Sequence, residues 1–222
     1  ISRCHERFQF DLVILACNTI STLLLPHLRE QFDVPFVGVV PAIKPAAALS
    51  KTKHIGLLAT LGTVSRPYTD ELVRDFAEDC SVLKVGSNEL VHQAEKLLND
   101  GVADELVIEE VLRPFGSAAE NIDTIVLGCT HFPLLQAYFS KLMPGVHFVD
   151  SGEAIARRVC SLIACGEPVD SGRNASEGRS RGDSAVEIRH TLMFTRKVPH
   201  NEQFFKSIKG LGFKSVVLEL FK

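Results

Sequence analysis

Short apolar runs rich in branched residues alternate along the chain with longer stretches in which apolar residues recur every three or four positions. Leu12-Val13-Ile14-Leu15-Ala16, Ile55-Gly56-Leu57-Leu58-Ala59 and Ile125-Val126-Leu127-Gly128 are continuously apolar. That pattern predicts parallel strands covered by helices on both faces. Tyr68 to Asp79 sets Leu72, Val73 and Phe76 among acids and Arg74, a helical spacing. Glu89 to Leu98 and Ala103 to Leu112 are predicted helices, joined by a turn at Asn99-Asp100-Gly101. Near the end, His190 to Phe194 and Ser215 to Leu220 are predicted strands flanking a helix around Asn201 to Lys209. Asp170 to Ser184 offers almost nothing to a core and is predicted to be a surface loop. Strand and helix in alternation predict an α/β fold with mainly parallel sheets and right-handed crossovers. Val39-Val40-Pro41-Ala42 and Val149-Asp150-Ser151-Gly152 interrupt this alternation and are the predicted boundaries.

The composition restricts what such a fold can be for. The chain has 222 residues, 45% of them hydrophobic, with 24 Lys plus Arg against 27 Asp plus Glu and a net charge of −3. A chain this long buries enough surface to fold without metal or disulfide support. The small net charge, without basic blocks, argues against a nucleic-acid partner, whose phosphates require clustered cations. The longest mostly apolar run, Asp33 to Ser50, contains prolines and falls short of the roughly 20 residues that span a bilayer, so no membrane role is predicted. Six cysteines without a C-x-x-C pair suit a reducing cytoplasm. Metal binding is not expected, because thiolate sites show ligands in close pairs.

An internal repeat changes the picture more than any single element. Asp11-Leu12-Val13-Ile14-Leu15-Ala16-Cys17-Asn18-Thr19 and Asp123-Thr124-Ile125-Val126-Leu127-Gly128-Cys129-Thr130-His131 share an Asp, an apolar run, a small residue, a cysteine and two polar residues. Each cysteine falls at the carboxyl end of a predicted buried strand, where ligands bind in open parallel sheets. The small residues Ala16 and Gly128 are expected to let the chain turn tightly there. One such cysteine is ordinarily a small buried hydrophobe. Two in matching contexts, each followed by hydrogen-bonding residues, are better explained by chemistry. The other four, Cys4, Cys80, Cys160 and Cys165, read as core residues.

A thiolate is a general base and a thiol a general acid, and a helix N-terminus or a histidine favours the thiolate. Two such groups on opposite sides of one carbon can exchange its proton with inversion. A reaction run in both directions needs acid and base of one chemical type, which accounts for cysteine appearing twice.

These motifs resemble those of the glutamate racemases, cofactor-independent enzymes of the aspartate/glutamate racemase superfamily. The residues carrying the resemblance are Ala16-Cys17-Asn18-Thr19-Ile20-Ser21 and Leu127-Gly128-Cys129-Thr130-His131-Phe132-Pro133-Leu134-Leu135, supported by Ile55 to Thr63 and by Asp150-Ser151-Gly152. The related aspartate racemases typically carry Glu where this sequence has His131. The resemblance implies two pseudo-symmetric α/β domains with the active site in the cleft between them. With crossovers at the two interruptions, residues 1–40 and 152–222 would form the first domain and 41–151 the second.

It further implies racemisation of L-glutamate to D-glutamate for peptidoglycan cell-wall synthesis, with no cofactor and no metal, in the cytoplasm, and allows for a homodimer. Cys17 and Cys129 would be the acid/base pair. Asn18, Thr19, Thr130 and His131 would hold the substrate, His131 also assisting Cys129. Thr60 and Thr63, at a predicted strand-to-helix turn, offer hydroxyls to the side-chain carboxylate, and Thr63 reads equally as a helix cap. Two alternatives stay open: a racemase of aspartate or a related amino acid, and a non-catalytic, truncated amino-acid-binding homologue. The family's opening Asp-Ser-Gly and Pro-Tyr-Gly motifs would precede Ile1, and Asp150-Ser151-Gly152 corresponds to a second, later copy of the first. The expectation is therefore a first domain short of one strand, with an unpaired sheet edge and an uncovered apolar patch beside Cys17, and little activity from these 222 residues alone.

Overall fold

The computed structural model describes residues 1–117, 121–164, 190–194, 201–213 and 216–220. The helices are α1 (Ser2–Phe8), α2 (Asn18–Gln31), α3 (Ile43–Leu49), α4 (Leu61–Val64), α5 (Pro67–Phe76), α6 (Glu89–Asp100), α7 (Glu105–Ser117), α8 (Gln136–Leu142), α9 (Gly152–Ala164) and α10 (Glu202–Gly210). The strands are β1 (Val13–Leu15), β2 (Phe36–Gly38), β3 (His54–Ala59), β4 (Ser81–Gly86), β5 (Thr124–Leu127), β6 (His147–Val149), β7 (His190–Phe194) and β8 (Val216–Leu220). They form three parallel sheets: β1-β2, β4-β3-β5-β6 and β7-β8.

The four-stranded sheet is the double-sided structure that the apolar runs predict. Successive side chains of a strand point to opposite faces. Ile55, Leu57 and Ala59 of β3 and Val126 of β5 pack with Ile43, Ala46 and Leu72 of α3 and α5. Leu58 of β3 and Ile125 and Leu127 of β5 pack on the other face with Leu90 and Ala94 of α6, Ile108 and Leu112 of α7, and Phe139 of α8. Burying Leu-sized side chains on both faces is worth about 2 kcal/mol each before entropy is counted. That burial holds the carboxyl ends of β3 and β5 in fixed positions.

The β1-β2 sheet departs from the buried reading of Leu12 to Ala16. It lies on a small core of Val13, Leu15, Leu28, Val34 and Phe36, and Ile14 points outward with 45% of its surface exposed. The reason is that side chains alternate between the two faces of a strand: Val13 and Leu15 face this core, whereas Ile14 faces the other side, where no buried cluster among the described residues includes it. Ile20, Leu23 and Leu24 of α2 are exposed as well.

The two sheet systems are connected at two passages that touch, for the Ser151 hydroxyl donates to the carbonyl of Val40. Helix α9 packs against β2, whereas α10 packs against α6.

Other local readings are revised. Helices α6 and α7 extend past their predicted ends, to Asp100 and Ser117. Gly101 takes the left-handed conformation that ends α6 (φ 79°). Gly128 serves close packing, since a Cβ there would lie 2.9 Å from Cβ of Ala59 and 3.1 Å from Leu57. Cys160 is exposed, because it faces outward on α9, and Cys4 and Cys80 are only partly buried. Cys165 and the segment Asp170 to Ser184 lie outside the described residues.

Candidate active site

Each cysteine of the repeat leaves the end of a parallel strand, but the two chain paths then diverge. Cys17 has extended backbone (φ −155°, ψ 122°) and is the N-cap of the 14-residue helix α2. Its amide donates to Leu15 O at 2.8 Å, and its carbonyl accepts from Ser21 N at 2.9 Å. Ser21 locks this corner: its hydroxyl donates to Leu15 O (3.0 Å) and accepts from the Val39 amide (2.9 Å). Cys129 comes after β5 and leads into a 3₁₀ turn, Phe132–Leu135, whose N-cap is His131. The Cys129 carbonyl accepts from Phe132 N at 3.1 Å. Both cysteines are partly buried free thiols.

The polar residues after each cysteine converge from the two sheets. Thr130 Oγ1 donates to Ala16 O at 3.1 Å. Thr19 Oγ1 and Thr63 Oγ1 share a hydrogen bond of 3.2 Å, and Thr63 Oγ1 and Thr60 Oγ1 one of 3.0 Å. Thr69 Oγ1 donates to Thr63 O at 2.6 Å, so the hydroxyl cluster is braced from α5. Asn18 is 5% exposed, and its Oδ1 is buried without a hydrogen-bond partner among the described residues. A buried acceptor left without a donor costs about 1–3 kcal/mol, so this oxygen calls for a donor that the described residues do not supply.

His131 stands between two groups. Its Nδ1 lies 3.9 Å from the Cys129 sulfur, and its Nε2 lies 2.9 Å from Oε1 of Glu95 on α6. The contact with the Cys129 sulfur and the pairing with Glu95 outweigh partial burial and raise the imidazole from its usual 6.5 to about 9. At neutral pH His131 is therefore an imidazolium between a sulfur and a carboxylate.

Glu95 is the site residue that the sequence pattern does not show. It lies on the rim of an amphipathic helix, among charged residues whose ordinary role is solvation, and no local spacing marks it. All six residues singled out from the sequence, Cys17, Asn18, Thr19, Cys129, Thr130 and His131, lie in this region, together with Thr60 and Thr63. A separate hollow of about 250 Å³ lies at the passages between the sheets, lined in part by Val40, Pro41, Lys44, Phe76, Ser151 and Arg158, and none of the six lines it. Among the described residues no three His, Cys, Asp or Glu side chains converge as a metal-ligand set. No helix there is long and apolar enough to cross a membrane.

Comparison with known proteins gives one consistent result. The sequence profile of the family described as Asp/Glu/Hydantoin racemase matches residues 2–159. A glutamate racemase of Actinobacillus pleuropneumoniae serotype 3 (strain JL03) is 40% identical over 222 residues, 98% of this chain and 77% of the relative. A glutamate racemase of Pectobacterium atrosepticum is 51% identical over 165 residues, 74% of this chain and 58% of the relative. Among solved structures, Escherichia coli glutamate racemase in complex with L-glutamate and the activator UDP-MurNAc-ala superposes with a TM-score of 0.83 at 40% identity, over 99% of this chain and 77% of that one.

Proposed function

The chain belongs to the Asp/Glu/hydantoin racemase family, and from that premise we propose that it interconverts L- and D-glutamate by proton transfer between two cysteines. D-glutamate so formed would enter peptidoglycan synthesis, in the cytoplasm, where thiols stay reduced. The supporting observation is that the halves of the repeat meet: Thr130, next to Cys129, is hydrogen-bonded to Ala16, next to Cys17.

In this reading one cysteine, as thiolate, takes the α-proton. The C–H electron pair passes into the α-carbon and its carboxylate, and the other cysteine delivers its S–H proton to the opposite face. The atoms balance, with one proton moved to each side and the thiol and thiolate exchanged between the cysteines. The reverse reaction uses the same groups with roles exchanged. His131, held as imidazolium by Glu95, offsets negative charge on the Cys129 sulfur. Asn18 Oδ1 accepts from the substrate ammonium, which removes its lack of a partner. The hydroxyls of Thr19, Thr60 and Thr63 exchange their mutual bonds for bonds to carboxylate. Thiol chemistry of this kind draws only on groups that the chain supplies.

Cys129, His131 and Glu95 alone would also serve a cysteine hydrolase. That reading leaves the second cysteine and the unpartnered Asn18 oxygen without a role. Incubation with either enantiomer of glutamate in deuterium oxide, in a protein that carries the family's opening Asp-Ser-Gly and Pro-Tyr-Gly motifs ahead of Ile1, separates the two. Racemisation with deuterium entering the α-position, abolished by Cys17→Ala and by Cys129→Ala, is the expected result. Near-normal turnover in both directions by either variant would overturn the two-thiol assignment.

A further inference from the structure

We propose that α10 is a positioning element for the His131 and Cys129 pair, with Ser207 and Asn201 holding in place the carboxyl end of the helix that carries Glu95. The inference rests on the reading of His131 as the partner of Cys129.

The last four carbonyls of any α-helix lack partners within it. In α6 these belong to Leu97, Leu98, Asn99 and Asp100. The Gly101 amide takes Leu97 O at 3.0 Å. The next two are taken by α10, from the far end of the chain: Ser207 Oγ donates to Leu98 O at 3.0 Å and Asn201 Nδ2 to Asn99 O at 2.7 Å. Asn201 is fixed in turn, because its Oδ1 caps α10 by accepting from Phe204 N at 2.9 Å. The helices approach closely, since a Cβ on Gly101 would come within 3.0 Å of the Gln203 side chain. Phe204 is buried. The C-terminal segment thus supplies a cap that local sequence ordinarily supplies.

The cap acts on Glu95 because of where α6 is anchored. Leu90, Gln93 and Ala94 are buried, but no residue from Glu95 to Asp100 is. Asn99 Nδ2 donates to the Glu95 carbonyl at 2.8 Å, so the bond from Asn201 to Asn99 continues to Glu95. The Glu95 side chain is 52% exposed and that of His131 34%. An ion pair so open to water persists only where the backbone holds its partners in register. Cys129 and Glu95 are the titratable groups that act on His131, and of the two only Glu95 lies on the element that α10 holds.

The test is an NMR titration of the His131 imidazole in the 222-residue chain, which needs no turnover. Glu95→Gln should lower the His131 midpoint from about 9. Ser207→Asp, which sets a carboxylate against the negative end of α6, should lower it by at least half as much. Ser207→Thr, which keeps the hydroxyl, should leave it at the wild-type position. An unchanged midpoint in Ser207→Asp, with amide exchange at Leu98 to Gly101 accelerated, would overturn the positioning role. Should Ser207→Asp not fold, Ser207→Ala is titrated in its place, and an unchanged midpoint there is equally decisive. An unchanged midpoint in Glu95→Gln would instead remove the pairing on which the inference stands. Neither result would bear on whether Cys17 and Cys129 exchange the α-proton.

Discussion

The hydroxyl of Thr130 donates to the carbonyl oxygen of Ala16 across 3.1 Å, so the residue after one repeat cysteine is bonded to the residue before the other. Thr130→Val removes a neutral hydrogen bond worth about 1 kcal/mol. In the two-thiol racemase it also removes a substrate-binding hydroxyl. We expect kcat/KM for either enantiomer to fall about tenfold or more, while Thr130→Ser retains most of it. Steady-state kinetics in both directions check this, and unchanged kcat/KM in Thr130→Val would show that the bond is incidental to catalysis.

The elevated His131 couples the site to pH. Its folded-state value of about 9 lies above the ordinary 6.5, so the folded protein binds the proton more tightly than the unfolded chain does. The stabilisation is fully present below about pH 6.5 and is lost as pH rises through about 9. Thermal melts from pH 6 to 10 should show the wild type losing more stability over that window than Glu95→Gln. Parallel curves would mean that Glu95 does not hold the proton on His131.

Asp123 behaves in the opposite sense. Burial opposes its charge, but bonds from the Ser50 hydroxyl, the Thr52 and Lys51 amides and the Thr124 hydroxyl outweigh burial and push the carboxyl well below the usual range. They join the loop after α3 to the start of β5 at 2.6–3.0 Å. A depressed carboxyl stabilises the fold above about pH 4, and the effect fades as pH falls toward the folded-state value. Asp123→Ala should cost about 2 kcal/mol in urea unfolding at pH 7, a cost that begins to shrink below about pH 4 and goes on shrinking as the pH falls toward the folded-state value. A pH-independent cost would point to packing in place of charge.

Ile14 stands outward on a strand paired on one side among the described residues, and Ile20, Leu23 and Leu24 of α2 are exposed as well. Exposed apolar edges template association, and lysine on an edge suppresses it. Light scattering of the 222-residue chain should show concentration-dependent association that Ile14→Lys reduces, with stability changed by no more than about 0.5 kcal/mol. Association unaffected by Ile14→Lys would place the contact elsewhere.

Strands β3 and β5 of the central sheet, the covering helices α5, α6 and α7 and both cysteine motifs could be read from the sequence because each depends on neighbours in the chain. Continuous apolar runs encode burial on two faces, helical spacing encodes one covered face, and a repeated Cys with polar followers encodes a repeated device. The same local reading failed where burial depends on a distant partner. Leu12 to Ala16 has the composition of a central strand, yet Ile14 is exposed because what covers the face of a strand is decided by the tertiary fold. Cys160 is exposed because helix α9 turns that position outward. Glu95 on His131, Thr130 on Ala16 and α10 on the end of α6 join residues from 36 to 114 positions apart. Hydrogen bonds act over about 3 Å in space and have no period along a chain, so the site's electrostatics appeared only once the sheets had brought these residues together.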